Sequence, residues 1–202
     1  MKVIEQLLTS AGISPIAGVD EAGRGACAGP LVVAAVVLND PFAPELAVVR
    51  DSKEIAESKR DAVFDMIHSI AASVSIVIVP SSEVDSRGVH AANLDGMRRA
   101  VQGLMIEPEY VLTDGYAIEG LGVPNLAVWK GDQVVVSISA ASVIAKVTRD
   151  RIMREMDRDF PLYGFAGHKG YITAAHTKAL NDYGPCAEHR VSFANIAALI
   201  HK

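Results

Sequence analysis

Adjacent carboxylates at Asp20 and Glu21 follow a short apolar run, Ile16 to Val19, and precede a glycine-rich turn carrying one arginine, Gly23-Arg24-Gly25. Two acids beside pliable backbone and a guanidinium suit a divalent cation and a phosphate held side by side. Successive residues of a strand point to opposite faces. These two acids therefore share a site only if the strand ends or bulges there, which the glycines permit. Two more aspartates stand in comparable places. Asp114 closes the apolar run Tyr110 to Thr113, and Asp132 ends Trp129-Lys130-Gly131-Asp132, just before the run Val134 to Ile138. Carboxylates at the ends of neighbouring strands converge, and four together (Asp20, Glu21, Asp114, Asp132) repel one another unless cations lie between them. Such a cluster calls for Mg²⁺ or Mn²⁺, hard ions that prefer oxygen ligands.

The elements that must position these acids are also legible. Apolar runs of strand length occur at Leu31 to Leu38, Val74 to Val79, Tyr110 to Leu112, Leu126 to Trp129 and Val134 to Ile138. The first follows Ile16 to Val19 across the glycine-rich turn, which suggests a hairpin. Helical periodicity covers Glu57 to Ala72, His90 to Met105, Ala140 to Arg158 and Ile172 to Tyr183. Ser81 or Ser82 is placed to cap a short turn before Val84. The first ten residues, with Glu5 inside an apolar run, read as a short amphipathic helix and carry no cleavage signature. Helices lying between strands indicate an α/β domain with a mixed sheet.

Composition narrows the class. A chain of 202 residues suits one domain with a substantial core, and with 50% apolar but only 5% aromatic residues that core is built of Ala, Val, Ile and Leu. No run is long enough to cross a membrane. Cys27 and Cys186 fit no zinc spacing and read as free thiols of a reducing, cytoplasmic setting. Net charge is −5, against the basic balance of a non-specific nucleic-acid binder. It does not exclude a nuclease, whose acids are offset by bound cations. Binding then rests on a local patch drawn from Arg24, Lys53, Lys146, Arg149, Lys169, Lys178 and Arg190, each of which is otherwise a solvated surface cation.

In order along the chain, Val19-Asp-Glu-Ala-Gly-Arg-Gly25, Ala28-Gly-Pro30, Asp51-Ser-Lys53, Thr113-Asp-Gly115, Gly131-Asp132, Ser139-Ala-Ala-Ser-Val-Ile-Ala-Lys-Val147 and Tyr163-Gly-Phe-Ala-Gly-His-Lys-Gly-Tyr171 resemble the segments of ribonuclease HII, the bacterial type 2 ribonuclease H. His176, Tyr183-Gly-Pro185, His189-Arg190 and Ser192-Phe193 complete the set. The resemblance implies a ribonuclease H-like mixed five-stranded sheet flanked by helices, in a single catalytic domain over residues 1–202 with a helical C-terminal extension from about residue 160. It implies an endoribonuclease that cuts the RNA strand of RNA/DNA hybrids and nicks 5′ of single ribonucleotides in duplex DNA. Two divalent ions about 3.5–4 Å apart would serve the attacking water and the leaving oxygen. Asp20 would bridge both ions, Asp114 and Asp132 would each bind mainly one, and Glu21 would bind directly or through water. Asp150 is either a supporting carboxylate of that site or a helix-surface partner of an arginine.

Recognition by the same resemblance falls to the amides of Gly23, Arg24 and Gly25, reading a ribose 2′-hydroxyl, and to Tyr171, stacking on the neighbouring sugar. Lys53, Lys146 and Lys169 would contact the substrate backbone. Ser139 and Ser142 sit near a helix start, where free amides attract phosphate, or are simple cap or packing residues. His168 and His189 are read as structural hydrogen-bond formers, not general bases. Departures from the family pattern occur at Ala26-Cys27, Tyr116 to Leu121 and Cys186 to Glu188. The expected partners are hybrid and ribonucleotide-containing duplex DNA. A monomer is expected, with no membrane contact and no sliding-clamp peptide. The alternative is a hybrid-binding module without catalysis, which gains nothing from acids clustered near phosphates. A phosphatase or sugar kinase relative would need a nucleotide-phosphate loop, and no Walker-type glycine motif is present.

Overall fold

The computed structural model describes residues 3–51 and 55–200. Its centre is a five-stranded sheet in the order β3-β2-β1-β4-β5, formed by β1 (Ile16–Ala22), β2 (Leu31–Leu38), β3 (Ala71–Val79), β4 (Tyr110–Asp114) and β5 (Asn125–Val128). Strands β1, β2 and β3 pair antiparallel, with the expected hairpin joining Ala17 to Val37 at one end and Ala22 to Val32 at the other. Strands β1, β4 and β5 run parallel, making the sheet mixed.

Strand β2 reads Leu-Val-Val-Ala-Ala-Val-Val-Leu because it is covered on both faces, which removes the alternation of a half-exposed strand. Val32, Ala34 and Val36 pack with α2 (Glu57–Ile70) and α6 (Val136–Asp159), whereas Leu31, Val33, Ala35 and Val37 pack with α4 (Val89–Gln102). Helix α6 lies directly on β1. A Cβ on Gly18 would fall 2.1 Å from the carbonyl carbon of Ser137, so only glycine allows the approach. From α1 (Val3–Ser10), the buried Glu5 carboxylate accepts the amides of Val136 and Ser137, each at 2.9 Å, and so caps α6.

One expectation fails. Val134 to Ile138 is not a strand but the end of the short turn α5 (Gly131–Val134) and the first turn of α6. Its apolar side chains Val135, Val136 and Ile138 are buried, and a short buried run is compatible with either state until a cap decides it. Glu5 supplies that cap. The short turn expected before Val84 is α3 (Ser81–Arg87), which follows Pro80 and has no side-chain cap. Beyond α6, the chain is helical in α7 (Phe165–His168), α8 (Ala174–Tyr183) and α9 (Ala194–Ile200). Phe165 and Tyr163 pack with Ala28 and Met153, anchoring this region to the β1–β2 connection. Among the described residues no helix is long and apolar enough to cross a membrane.

Candidate active site

The parallel ladder between β1 and β4 ends where Val19 meets Thr113. The next residues are Asp20 and Asp114, so both acids emerge at the carboxyl ends of adjacent strands, where open α/β sheets bind ligands. Pairing of β1 with β2 continues to Ala22, so the strand ends at these acids on one side only. That suffices. Asp20, Glu21, Asp114 and Asp132 all line one cleft of about 390 Å³, together with Gly23, Arg24, Gly25, Arg60, Ser142, Lys146 and Tyr171.

The four acids differ in what holds them. Asp20 lies on the α6 side, where the Ser142 hydroxyl hydrogen-bonds its carboxyl, and its Oδ1 accepts the Glu21 amide at 2.7 Å. Gly131 donates its amide to Asp114 Oδ1 at 2.7 Å. Asp132 is buried in the α5 turn, and its main-chain carbonyl accepts the Ser139 hydroxyl. Glu21 points toward α4, beside Asn93, yet its Oε2 is buried without a hydrogen-bond partner.

The electrostatics are those of acids crowded into a poorly hydrated space. Burial, then Glu21, then Asp114 raise the Asp20 pKa well above the usual carboxylate range. Burial pushes Glu21 up to about 7, with Asp114 adding to the rise and Arg24 opposing it. A buried polar atom left unsatisfied costs about 1–3 kcal/mol, more when charged. Among the described residues no three His, Cys, Asp or Glu side chains close on one point as a finished metal cage. What fits a cation is the chemistry of the donors: oxygen ligands only, charges that resist ionising together, and the orphaned Glu21 Oε2.

Two cations, Lys146 and Arg60, line the same cleft. Lys146 Nζ lies 2.5 Å from Asp150 Oδ1, and Arg60 Nη1 lies 3.7 Å from Asp150 Oδ2. Asp150 thus supports two cleft-lining cations and does not itself line the cleft. Burial lowers the Lys146 pKa, with Asp150 opposing. Sequence reasoning missed Arg60, which reaches the cleft from α2. It also missed Tyr116, whose ring centre lies 4.6 Å beneath the Arg24 guanidinium.

Several expected substrate residues need correction. Ser139 is fully buried, and its hydroxyl bonds the carbonyls of Asp132 and Val135, so it supports Asp132 instead of touching substrate. The first amides of α6 are taken by Glu5 and do not offer a phosphate site. Lys169 is 9% exposed and does not line the cleft; its amine donates to the Ala166 carbonyl and lies 3.8 Å from Glu57. Arg149 and Arg190 are buried, and Lys178 is paired with Asp182, so none of the three contributes to a free cationic patch. Lys53 lies outside the described residues. Ser142, Lys146 and Tyr171 do line the cleft, with Tyr171 40% exposed. Within the turn, Gly25 is exposed, Arg24 half-buried and Gly23 buried.

His176 of α8 and His189, in the segment between α8 and α9, form a buried pair. His176 Nδ1 donates to the Tyr171 carbonyl at 3.0 Å, since a carbonyl only accepts, which leaves His176 Nε2 to accept from His189 Nε2 at 3.0 Å. His189 Nδ1 then accepts the Cys186 amide at 2.9 Å. Burial, aided by His176, pushes the His189 pKa down to about 4, and burial also lowers that of His176. His168 Nδ1 accepts the Gly170 amide at 3.1 Å.

Residues 17–196 match the family model described as ribonuclease HII. The ribonuclease HII of Acidothermus cellulolyticus is 57% identical over 95% of this chain, which spans 62% of that relative's length. That of Parafrankia sp. is 56% identical over 96% of this chain and 81% of its own. Among solved structures, the PCNA:RNase HII complex from Archaeoglobus fulgidus contains a similar chain, with a TM-score of 0.80 at 25% identity over 93% of this chain and 97% of that one.

Proposed function

Because the chain belongs to the ribonuclease HII family, a family of ribonuclease H enzymes, we propose that it hydrolyses the RNA strand of RNA/DNA hybrids and nicks duplex DNA 5′ of single embedded ribonucleotides. The products would carry 3′-hydroxyl and 5′-phosphate ends. The observation that supports this most is the convergence of Asp20, Glu21, Asp114 and Asp132 in one cleft that Lys146 and Arg60 also line.

Those four acids would hold two divalent ions, Mg²⁺ or Mn²⁺. When bound, such a pair activates a water and neutralises charge at the phosphate and the departing oxygen. The remaining work falls to the chain itself. Ser142 holds Asp20, the Gly131 amide holds Asp114, and Ser139 fixes the backbone of Asp132. Lys146 and Arg60 would draw a substrate phosphate into the cleft beside the acids, with Asp150 between them keeping both cations in place. The Gly23-Arg24-Gly25 turn would present its amides to the 2′-hydroxyl, the group that separates RNA from DNA. Stacking Arg24 on Tyr116 steadies that turn. Tyr171 would pack on the adjacent sugar.

The chain is proposed to act as one catalytic domain, a cytoplasmic monomer. Mapping the ends produced from a duplex with one embedded ribonucleotide, in Mg²⁺ and in EDTA, tests the proposal. A single Mg²⁺-dependent nick on the 5′ side is expected. A cut elsewhere, or one that persists in EDTA, contradicts it.

A further inference from the structure

Two of the most deeply buried side chains in the protein are arginines, Arg149 at 1% exposure and Arg190 at 0%. Both direct their assigned hydrogen bonds to main-chain carbonyls, not to acids. Arg190 Nε and Nη2 donate to Gly29 O at 3.1 and 2.9 Å, and its Nη1 donates to Arg24 O at 3.2 Å. Arg149 Nε donates to Pro30 O at 2.9 Å, Nη2 to Ala28 O at 3.1 Å and Nη1 to Lys169 O at 2.8 Å. Burying a guanidinium is unfavourable where a hydrocarbon side chain of similar size would fill the space. What the guanidinium adds is direction, since its donors are fixed in one rigid plane.

For Arg149 that plane joins two segments far apart in the chain. Ala28 and Pro30 belong to the connection that follows Gly25, and Lys169 stands two residues before Tyr171. The guanidinium carbon lies 5.4 Å from the centre of the Tyr171 ring. Gly23, at φ +90°, sits so close above the same group that a Cβ there would fall 1.9 Å from Arg149 Nε. One buried side chain therefore contacts the underside of the glycine turn, the strand connection behind it and the segment carrying the tyrosine. The Cys27 amide to Gly170 carbonyl bond, at 3.0 Å, closes the same junction from the other side.

We infer that Arg149 is a positioning residue for ribonucleotide discrimination, setting the distance between the Gly23–Gly25 amides and the Tyr171 ring without touching substrate. This rests on the reading that those amides and that ring recognise the ribonucleotide. Arg149→Lys keeps the charge and loses the planar fork. The measurement is the ratio of affinities for a duplex with one ribonucleotide and for the same duplex in all-DNA form, by fluorescence anisotropy in EDTA, alongside the unfolding temperature. The ratio should fall by about tenfold, in the range typical of residues that orient a site's contacts. In a Tyr171→Ala background the same change should add less than about twofold, because the two residues act through one contact.

An unchanged ratio in a folded Arg149→Lys protein, or full additivity with Tyr171→Ala, would show that Arg149 only supports the fold. A wild-type ratio near one would instead overturn the recognition reading itself, and the inference with it. Should the variant not fold, the Arg149 Nε–H resonance of the wild-type protein decides. It should shift on adding the ribonucleotide duplex and stay in place with the all-DNA duplex. Equal responses to both overturn the inference.

Discussion

The amide of Gly131 donates to Oδ1 of Asp114 at 2.7 Å, so the acid at the end of β4 is tied by one main-chain bond to the turn that carries Asp132. A Cβ on Gly131 would lie 2.6 Å from Ile138 Cδ1 and 3.4 Å from that same Asp114 oxygen. Gly131→Ala should therefore disturb two proposed metal ligands at once while leaving the recognition turn alone. Half-saturating Mg²⁺ for cleavage is expected to rise by about 10–100-fold, the usual effect of losing a ligand's orienting partner. An unchanged Mg²⁺ titration would separate this bond from the metal site.

Glu21 makes a pH prediction with a definite sign. Its pKa is raised from 4.5 in the unfolded chain to about 7 in the folded one. The folded state thus binds more protons between those values, and the stability contributed by this group is present below pH 4.5 and lost as pH rises through 7. Without divalent ions, Glu21→Gln should be stabilised relative to wild type at pH 8 and lose that advantage toward pH 4.5. Paired thermal unfolding curves across this range are the check. A difference independent of pH would contradict the raised pKa.

His189 acts in the opposite sense. Its folded pKa is depressed from 6.5 to about 4, so its contribution is complete above pH 6.5 and is lost as pH falls toward 4. Protonating it also places a hydrogen where the Cys186 amide already points. His189→Gln should unfold with a shallower pH dependence than wild type across this window, even if it is less stable at pH 7.5. An identical acid limb in both proteins would remove His189 as its source.

Phosphate contacts should register in salt dependence. Lys146→Ala and Arg60→Ala should each lower the slope of log K against log salt by about 0.9, one released contact apiece. Lys169→Ala should change it far less, since that amine is engaged by Ala166 and faces Glu57. Equal effects at Lys146, Arg60 and Lys169 would mean that this cleft wall is not the phosphate surface.

How much was legible in the sequence depended on whether burial had to be known. Asp20 and Asp114 could be picked out because each ends an apolar run, and parallel neighbours deliver such residues to one edge. Strand β2 was legible because eight apolar residues in a row allow little else in a covered sheet. Val134 to Ile138 was not, because its fate turned on Glu5, more than a hundred residues away. Arg149 and Arg190 looked like surface cations because a sequence shows charge and not depth. Arg60 escaped notice for the opposite reason: on a regular amphipathic helix nothing marks one arginine as facing a cleft. Ser139 stood in the right segment, but only the α5 turn reveals that its hydroxyl serves Asp132.

The most direct test is cleavage of a single-ribonucleotide duplex by Asp20→Asn at saturating Mg²⁺, with the unfolding temperature measured in parallel. Asp20 is the most crowded of the acids, so removing its charge should leave the unfolding temperature equal or higher while kcat/KM falls by at least about 100-fold. A folded Asp20→Asn protein that cleaves within about threefold of wild type would contradict catalysis by this carboxylate cluster, since a change that small is under 1 kcal/mol of transition-state stabilisation.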